Sequence, residues 1–227
     1  MKGLVYAGFV LNKNYFIAAG IVAAVGTAFV SWLGRLVGDP ETSAIISTSM
    51  LVLQGVVMAI ADEYLDRDLE KNIKSRFADY ALAGMSKAKF VMAELLKNVI
   101  STALAFVLAV IMQLVFMAVN PGISGADRIP LLAATAIILG LIDWIALPLV
   151  VYLKSAEQAG LIIGIAVGFG VVMPLMILFN LFENGWIKAA EFLSQAPGFL
   201  LIFIFAVLMY ALFYLILLNR VRKGDVC

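Results

Sequence analysis

Six long stretches of this chain carry no charge or only one, and that spacing limits the possible folds more tightly than any motif does. Between Lys13 and Arg35 lie 21 uncharged residues, between Glu41 and Asp62 lie 20, and between Lys97 and Asp127 lie 29. Glu157 to Glu183 encloses 25 and Glu191 to Arg220 encloses 28, while the 25 between Arg128 and Lys154 are interrupted only by Asp143. A helix needs about 20 apolar residues to cross the hydrocarbon core, because unpaired backbone amides cannot be left in lipid. The spacing predicts an all-α polytopic membrane protein: one transmembrane domain over 1–227, with six crossings.

Composition excludes the main competitor. At 64% hydrophobic residues and a mean hydropathy of +1.06, a soluble fold would have to bury nearly every helix on all sides, which 227 residues cannot supply. A net charge of +1 offers no basic face to a nucleic acid. The chain has no histidine and one cysteine, Cys227. That excludes histidine proton relays, zinc sites of the usual ligand set and any intrachain disulfide. Cys227 is not part of a prenylation box and reads as a tail residue. The first crossing begins near Phe16 and lacks a cleavage site followed by a polar mature sequence, so it reads as a retained helix. No Walker-type phosphate loop, H-E-x-x-H, G-x-S-x-G or paired acidic motif occurs. The chain is therefore expected not to be an enzyme, with no catalytic, cofactor-binding or metal-ligating residue.

Six crossings put both termini on one side. With that side cytoplasmic, 13 basic residues lie inside and only Arg35, Arg128 and Lys188 outside, as the positive-inside rule requires. Residues 1–15, apolar with Lys2 and Lys13, are expected to form an interfacial helix before the first crossing. The segment 62–97 is the main cytoplasmic element. Leu65, Leu69, Ile73 and Phe77 recur every four residues and Tyr80 follows, giving one apolar stripe opposite Asp66, Arg67, Asp68, Glu70, Lys71, Lys74 and Arg76. Gly84 is a natural helix stop, and Ser86 can cap a second helix running through Phe90 into the third crossing. Such a stripe can pack on the protein's own membrane ends, but a connection of this size also suits a partner.

On the outer side, Asn120 to Ile129 reads as a turn, with Pro121, Gly122 and Gly125. In 183–197, Trp186, Ile187, Ala190 and Leu193 share one side at helical spacing, as an outer interfacial helix would. Gly160, Gly164 and Gly168 form a small-residue ridge that allows close helix packing, and Pro148 and Pro174 mark expected kinks. Asp143 is the one intramembrane charge. It either lines a polar pathway or subunit contact, or is neutral and hydrogen-bonded, with Gln54 and Gln113 as candidate partners. No second titratable group is expected in the cores of the other crossings, too little for a proton relay.

Three features together resemble the membrane-spanning permease subunits of ATP-binding-cassette type-2 exporters, particularly the small bacterial stand-alone kind. They are the opening Met1-Lys-Gly-Leu4 with its amphipathic continuation, the run from Ser75 to Phe90 (SRFADYALAGMSKAKF), and Leu147 to Ala159 (LPLVVYLKSAEQA). The topology match covers essentially the whole chain, the motifs about a fifth of it. Where the family often has a proline before the second serine, this chain has Gly84 or Met85. The resemblance implies that 62–90 is a coupling helix region seated in a groove of a separate ATPase subunit, which would bind ATP and magnesium. Phe77, Tyr80, Leu82 and Met85 would supply its apolar contacts, and Arg76, Lys87 and Lys89 the flanking charges. The turn from Lys154 to Gln158, with Glu157, would be a second contact. Two copies, or one with a similar chain, would enclose the pathway in the bacterial inner membrane.

Two other classes compete with an exporter permease. A membrane scaffold or immunity protein would bind a partner through the same cytoplasmic helix and move nothing. A small secondary transporter would need mid-membrane polar groups and an internal repeat, and the first and last three crossings show no convincing repeat. An apolar interior without charge clusters suits amphipathic or hydrophobic cargo, such as membrane-active peptides or lipids, better than sugars or ions.

Overall fold

Helix ends in this chain are set by local chemistry, and the computed structural model places several of them where that chemistry predicts. It describes residues 13–36, 46, 49–58, 84, 86–120, 129–153, 161–165 and 195–223. The elements are α1 (Lys13–Leu36), α2 (Ser49–Met58), α3 (Lys87–Val119), α4 (Ile129–Leu153) and α5 (Ala196–Lys223), and 161–165 is helical as well. Among the described residues there is no strand. Four helices are long and apolar enough to cross a membrane: α1 over Ile17–Leu36, α3, α4 over Ile129–Leu149, and α5. The described parts of the other two expected crossings are α2 and 161–165.

Before α3 the chain turns at Gly84, whose φ of +67° is a conformation that side-chain-bearing residues rarely adopt. Ser86 then sits in an extended conformation, and its hydroxyl accepts the Lys89 amide at 3.4 Å. The cap falls where the sequence puts it, and the Gly84 turn stands just before it. α3 ends at Asn120, whose backbone and side-chain N–H groups both donate to the Phe116 carbonyl, at 3.0 and 3.1 Å. α5 opens with Pro197 in its first turn, where a missing amide costs nothing. α4 continues through Pro148, which leaves the Trp144 carbonyl without its usual intrahelical donor.

The helices alternate in direction around α3. Val30 of α1 packs with Met112 and Phe116, and Ala19 with Ala105 and Ala109, so α1 and α3 run the same way. α2 runs against both, with Met50 beside Val30 and Met58 beside Ala19. α4 also opposes α3: Leu132 and Ala136 meet Ala105 and Ala109, while Trp144 and Leu147 meet Phe90 and Val91. α5 runs parallel to α4, its Leu217 and Val221 closing the same cluster. At that end Lys87 Nζ donates to the Arg222 carbonyl at 3.3 Å.

α3 is built the wrong way round for a soluble core. Its buried stripe includes Ala93, Lys97, Ser101, Ala105, Ala109 and Gln113, small or polar residues. Its exposed face carries Leu96, Val99, Leu104, Val107, Ile111 and Leu114. Small and polar residues between helices, with large apolar ones outside, are how helices pack when the surroundings are as apolar as leucine. The exterior is compatible with a membrane-embedded protein.

Several expected features meet the structure differently. Of the interfacial helix expected over 1–15, only 13–15 are described, and they belong to α1. Of the one expected over 183–197, only 195–197 are described, and Ala196 and Pro197 open α5. Pro174, Gly160 and Gly168 lie outside the described residues. At Gly164 an added Cβ would meet nothing within 4 Å among the described residues. Close approach occurs instead at Gly34, where a Cβ would come within 2.6 Å of Asn120 Oδ1, and at Gly140, where it would run into Thr102 and lie 2.9 Å from its Cγ2.

That contact makes Gly140 a test of the α3–α4 seam. Gly140→Ala should lower stability in denaturant titrations in mixed micelles by about 1–3 kcal/mol. Adding Thr102→Ala should recover part of the loss, and an unaltered midpoint for the single variant would show the seam to be loose.

Candidate functional site

Two polar knots and one lateral groove stand out in the bundle. The first knot joins α3, α4 and α5. Asn98 Nδ2 donates to the Gly140 carbonyl at 3.1 Å, and the Tyr210 hydroxyl donates to Asn98 Oδ1 at 2.8 Å. Trp144 Nε1 donates to the Tyr210 carbonyl at 3.2 Å, and the two rings stack with centroids 6.1 Å apart. Each polar atom faces a seam between helices, where an apolar exterior requires it to be.

The second knot joins α2 to α3 farther along. Gln54 Nε2 donates to Gln113 Oε1 at 3.0 Å and to the Ala109 carbonyl at 3.1 Å. Both glutamines are almost wholly buried. Gln54 Oε1 has no partner among the described residues.

These distances separate residues that the sequence groups together. Gln113 lies about 22 Å along α3 from Asn98, at 1.5 Å per residue. Asp143 lies less than one turn of α4 beyond Gly140, toward the Lys87 end, and so belongs to the level of the first knot. The structure pairs Gln54 with Gln113 and leaves Asp143 away from both. On α3, that same level holds a buried ion pair, Lys97 Nζ to Glu94 at 3.5 Å. Lys97 is only 7% exposed. Its burial escapes a reading based on uncharged stretches, which uses Lys97 as a boundary. The signal was its place in the small-residue stripe of α3.

The groove lies between α1 and α3 and has a volume of about 540 Å³. Gly20, Ala24, Ala28 and Ser31 form its α1 side, Ile111 and Val115 its α3 side, and Arg35 stands at one end. The Thr27 and Ser31 side chains also line it, and their hydroxyls have no partner among the described residues. Nothing in the sequence separates this face of α1 from the others except its run of small residues.

At the opposite end of the bundle, Lys87 and Lys89 are exposed on the first turn of α3. The other expected contact residues, Arg76, Phe77, Tyr80, Leu82, Met85, Lys154 and Glu157, lie outside the described residues. No group of His, Cys, Asp and Glu able to hold a metal occurs among the described residues.

No protein-family model, curated protein or solved structure matches this chain. The reading of its function therefore rests on its own residues and geometry.

The first knot is open to a double-mutant cycle. Tyr210→Phe and Asn98→Ala should each lower stability in mixed micelles, and their coupling energy should fall near the range of about 0.6–1.7 kcal/mol seen for interhelical bonds. Additive losses would mean that the 2.8 Å contact contributes nothing of its own.

Proposed function

We propose that this chain is the membrane-spanning permease subunit of an ATP-driven exporter of the ATP-binding-cassette type-2 kind. Two copies, or one with a similar chain, would enclose a pathway, and a separate cytoplasmic ATPase subunit would supply ATP binding, magnesium and hydrolysis. The observation that supports this best is α3. Its 33 residues span about 50 Å, against a hydrocarbon core of about 30 Å. The helix starts at a Gly84 turn and a Ser86 cap, carries exposed Lys87 and Lys89, and continues without a break into the apolar bundle. A partner gripping the segment before that cap would move a stiff rod.

Helix directions support six crossings. α1 and α3 are parallel with α2 opposed between them. α4 and α5 are parallel too, and the 25 uncharged residues between Glu157 and Glu183 are enough for one crossing between them. Charge supports the orientation. Lys87, Lys89, Arg220, Arg222 and Lys223 gather at one end, which we assign to the cytoplasm, and Arg35 marks the outer end. The location proposed is the bacterial inner membrane. The apolar interior favours an amphipathic or hydrophobic cargo, a peptide or a lipid-like molecule.

Two measurements test this reading. With Cys227 replaced by serine, Lys89→Cys should react with a membrane-impermeant thiol reagent only in inside-out vesicles, and Arg35→Cys only in right-side-out ones. The reverse pattern would put the coupling end outside the cell. Phe77→Asp should abolish co-purification with an ATPase subunit while the chain still inserts. Retained co-purification with stimulated hydrolysis would remove Phe77 from the contact, and a chain that binds partners but supports no transport in proteoliposomes would be a scaffold.

A further inference from the structure

The groove between α1 and α3 is a feature of the described bundle that the permease reading does not use. We propose that it holds one acyl chain of an anionic phospholipid, with the lipid phosphate on Arg35 at its end.

Size comes first. From Gly20 to Arg35 the groove follows α1 for about 22 Å, and one leaflet of a bilayer contributes about half of a 30 Å core. A whole acyl chain therefore fits between the guanidinium and the glycine. The walls suit it, since Ala24, Ala28, Ile111 and Val115 present only hydrocarbon. Gly20, at the far end, faces open space, with nothing within 4 Å of where a Cβ would stand.

Charge selects the headgroup. Arg35 is exposed, lies in the last turn of α1, and forms no ion pair with any described residue. The helix carbonyls around it favour a cation there, and a guanidinium fork matches a phosphate with two parallel hydrogen bonds. Beside it Trp32 is 56% exposed, an aromatic of the type that sits at headgroup level.

The hydroxyls give a second, independent sign. Ser31 lies one turn inward from Arg35, 3% exposed, and its Oγ has no partner among the described residues. Its oxygen is itself enclosed, but at that depth it lies level with the ester carbonyls that join a phospholipid's chains to its headgroup, and a change of its χ1 rotamer would turn it to one. It would donate to one of them rather than stay unpaired in hydrocarbon. A sugar or a soluble anion would supply no chain for the apolar length of the groove, and a zwitterionic lipid would bring its own cation beside Arg35 and cancel part of the attraction to its phosphate. The small residues of α1 could also admit a helix from a second copy, and the test is built to separate the two.

The full-length chain is reconstituted, without any ATPase, into nanodiscs containing equal amounts of phosphatidylglycerol and phosphatidylcholine with matched acyl chains. Lipid retained after release into detergent is counted by native mass spectrometry. The wild type should retain phosphatidylglycerol in preference. Arg35→Gln, a surface change, should lower that preference about fivefold, as expected for loss of one basic residue near anionic lipid. Ala24→Phe, at an exposed position, should fill the groove and lose the retained lipid of either kind with no change in oligomeric state. An unchanged lipid ratio in Arg35→Gln would overturn the proposal. So would an Ala24→Phe chain that keeps its lipid, and one that keeps its lipid while a dimer falls apart would assign the groove to a second copy. None of these results bears on the ATPase contact, so the permease reading stands or falls separately.

Discussion

Everything in this bundle follows from having nowhere outside to put a polar group. Large apolar side chains cover the exposed faces of α1, α3 and α5, so each amide, indole and phenol must find its partner on a seam between helices. Asn98 meets that demand with one side chain, reaching a carbonyl on α4 and a phenol on α5. Gln54 does the same between α2 and α3. Such bonds are individually modest, but they fix which helices are neighbours and in what register, which apolar contact alone would leave undetermined.

The seams divide α3 into two zones. Near Lys87 it is held by α4 and α5 through Phe90, Val91, Trp144, Leu147, Leu217 and Val221. Farther along it is held by α1 and α2 through Met112, Phe116, Met50 and Val57. Alanines at 105, 109 and 136 fill the middle, where backbones come closest. Glycine at 34 and 140 serves the same end at single points, each opposite a polar side chain that would otherwise be displaced.

Features governed by a few neighbouring residues were legible in the sequence. Gly84 and Ser86 announce a break and a cap because turn and cap chemistry is local, and the structure has a positive-φ turn at the first and the cap at the second. Asn120 and Ile129 likewise mark where α3 ends and α4 begins. What escaped was neighbourhood. Nothing in the sequence says which helix faces Gln113, so both glutamines were offered to Asp143, whereas the structure bonds them to each other. A glycine repeat at 160, 164 and 168 looked like the tight seam, yet the described tight contacts lie at isolated glycines whose partners are distant in the chain. Lys97 was hidden because a charge was taken as the edge of a span, and its long side chain lets it lie within one, beside Glu94. The exporter resemblance, carried by degenerate motifs that fall mostly outside the described residues, has the least geometry behind it.

The cluster around Phe90 has a mechanical consequence. Because the first turns of α3 are wedged between the last turns of α4 and α5, and Lys87 is tied to the Arg222 carbonyl, torque applied there cannot bend α3 by itself. It turns three helices as one slab. The strain is then passed to the border with α1 and α2, where the Gln54–Gln113 bond and the Met50, Met112 and Phe116 cluster resist it and where the open furrow beside Arg35 would widen or narrow with the turn.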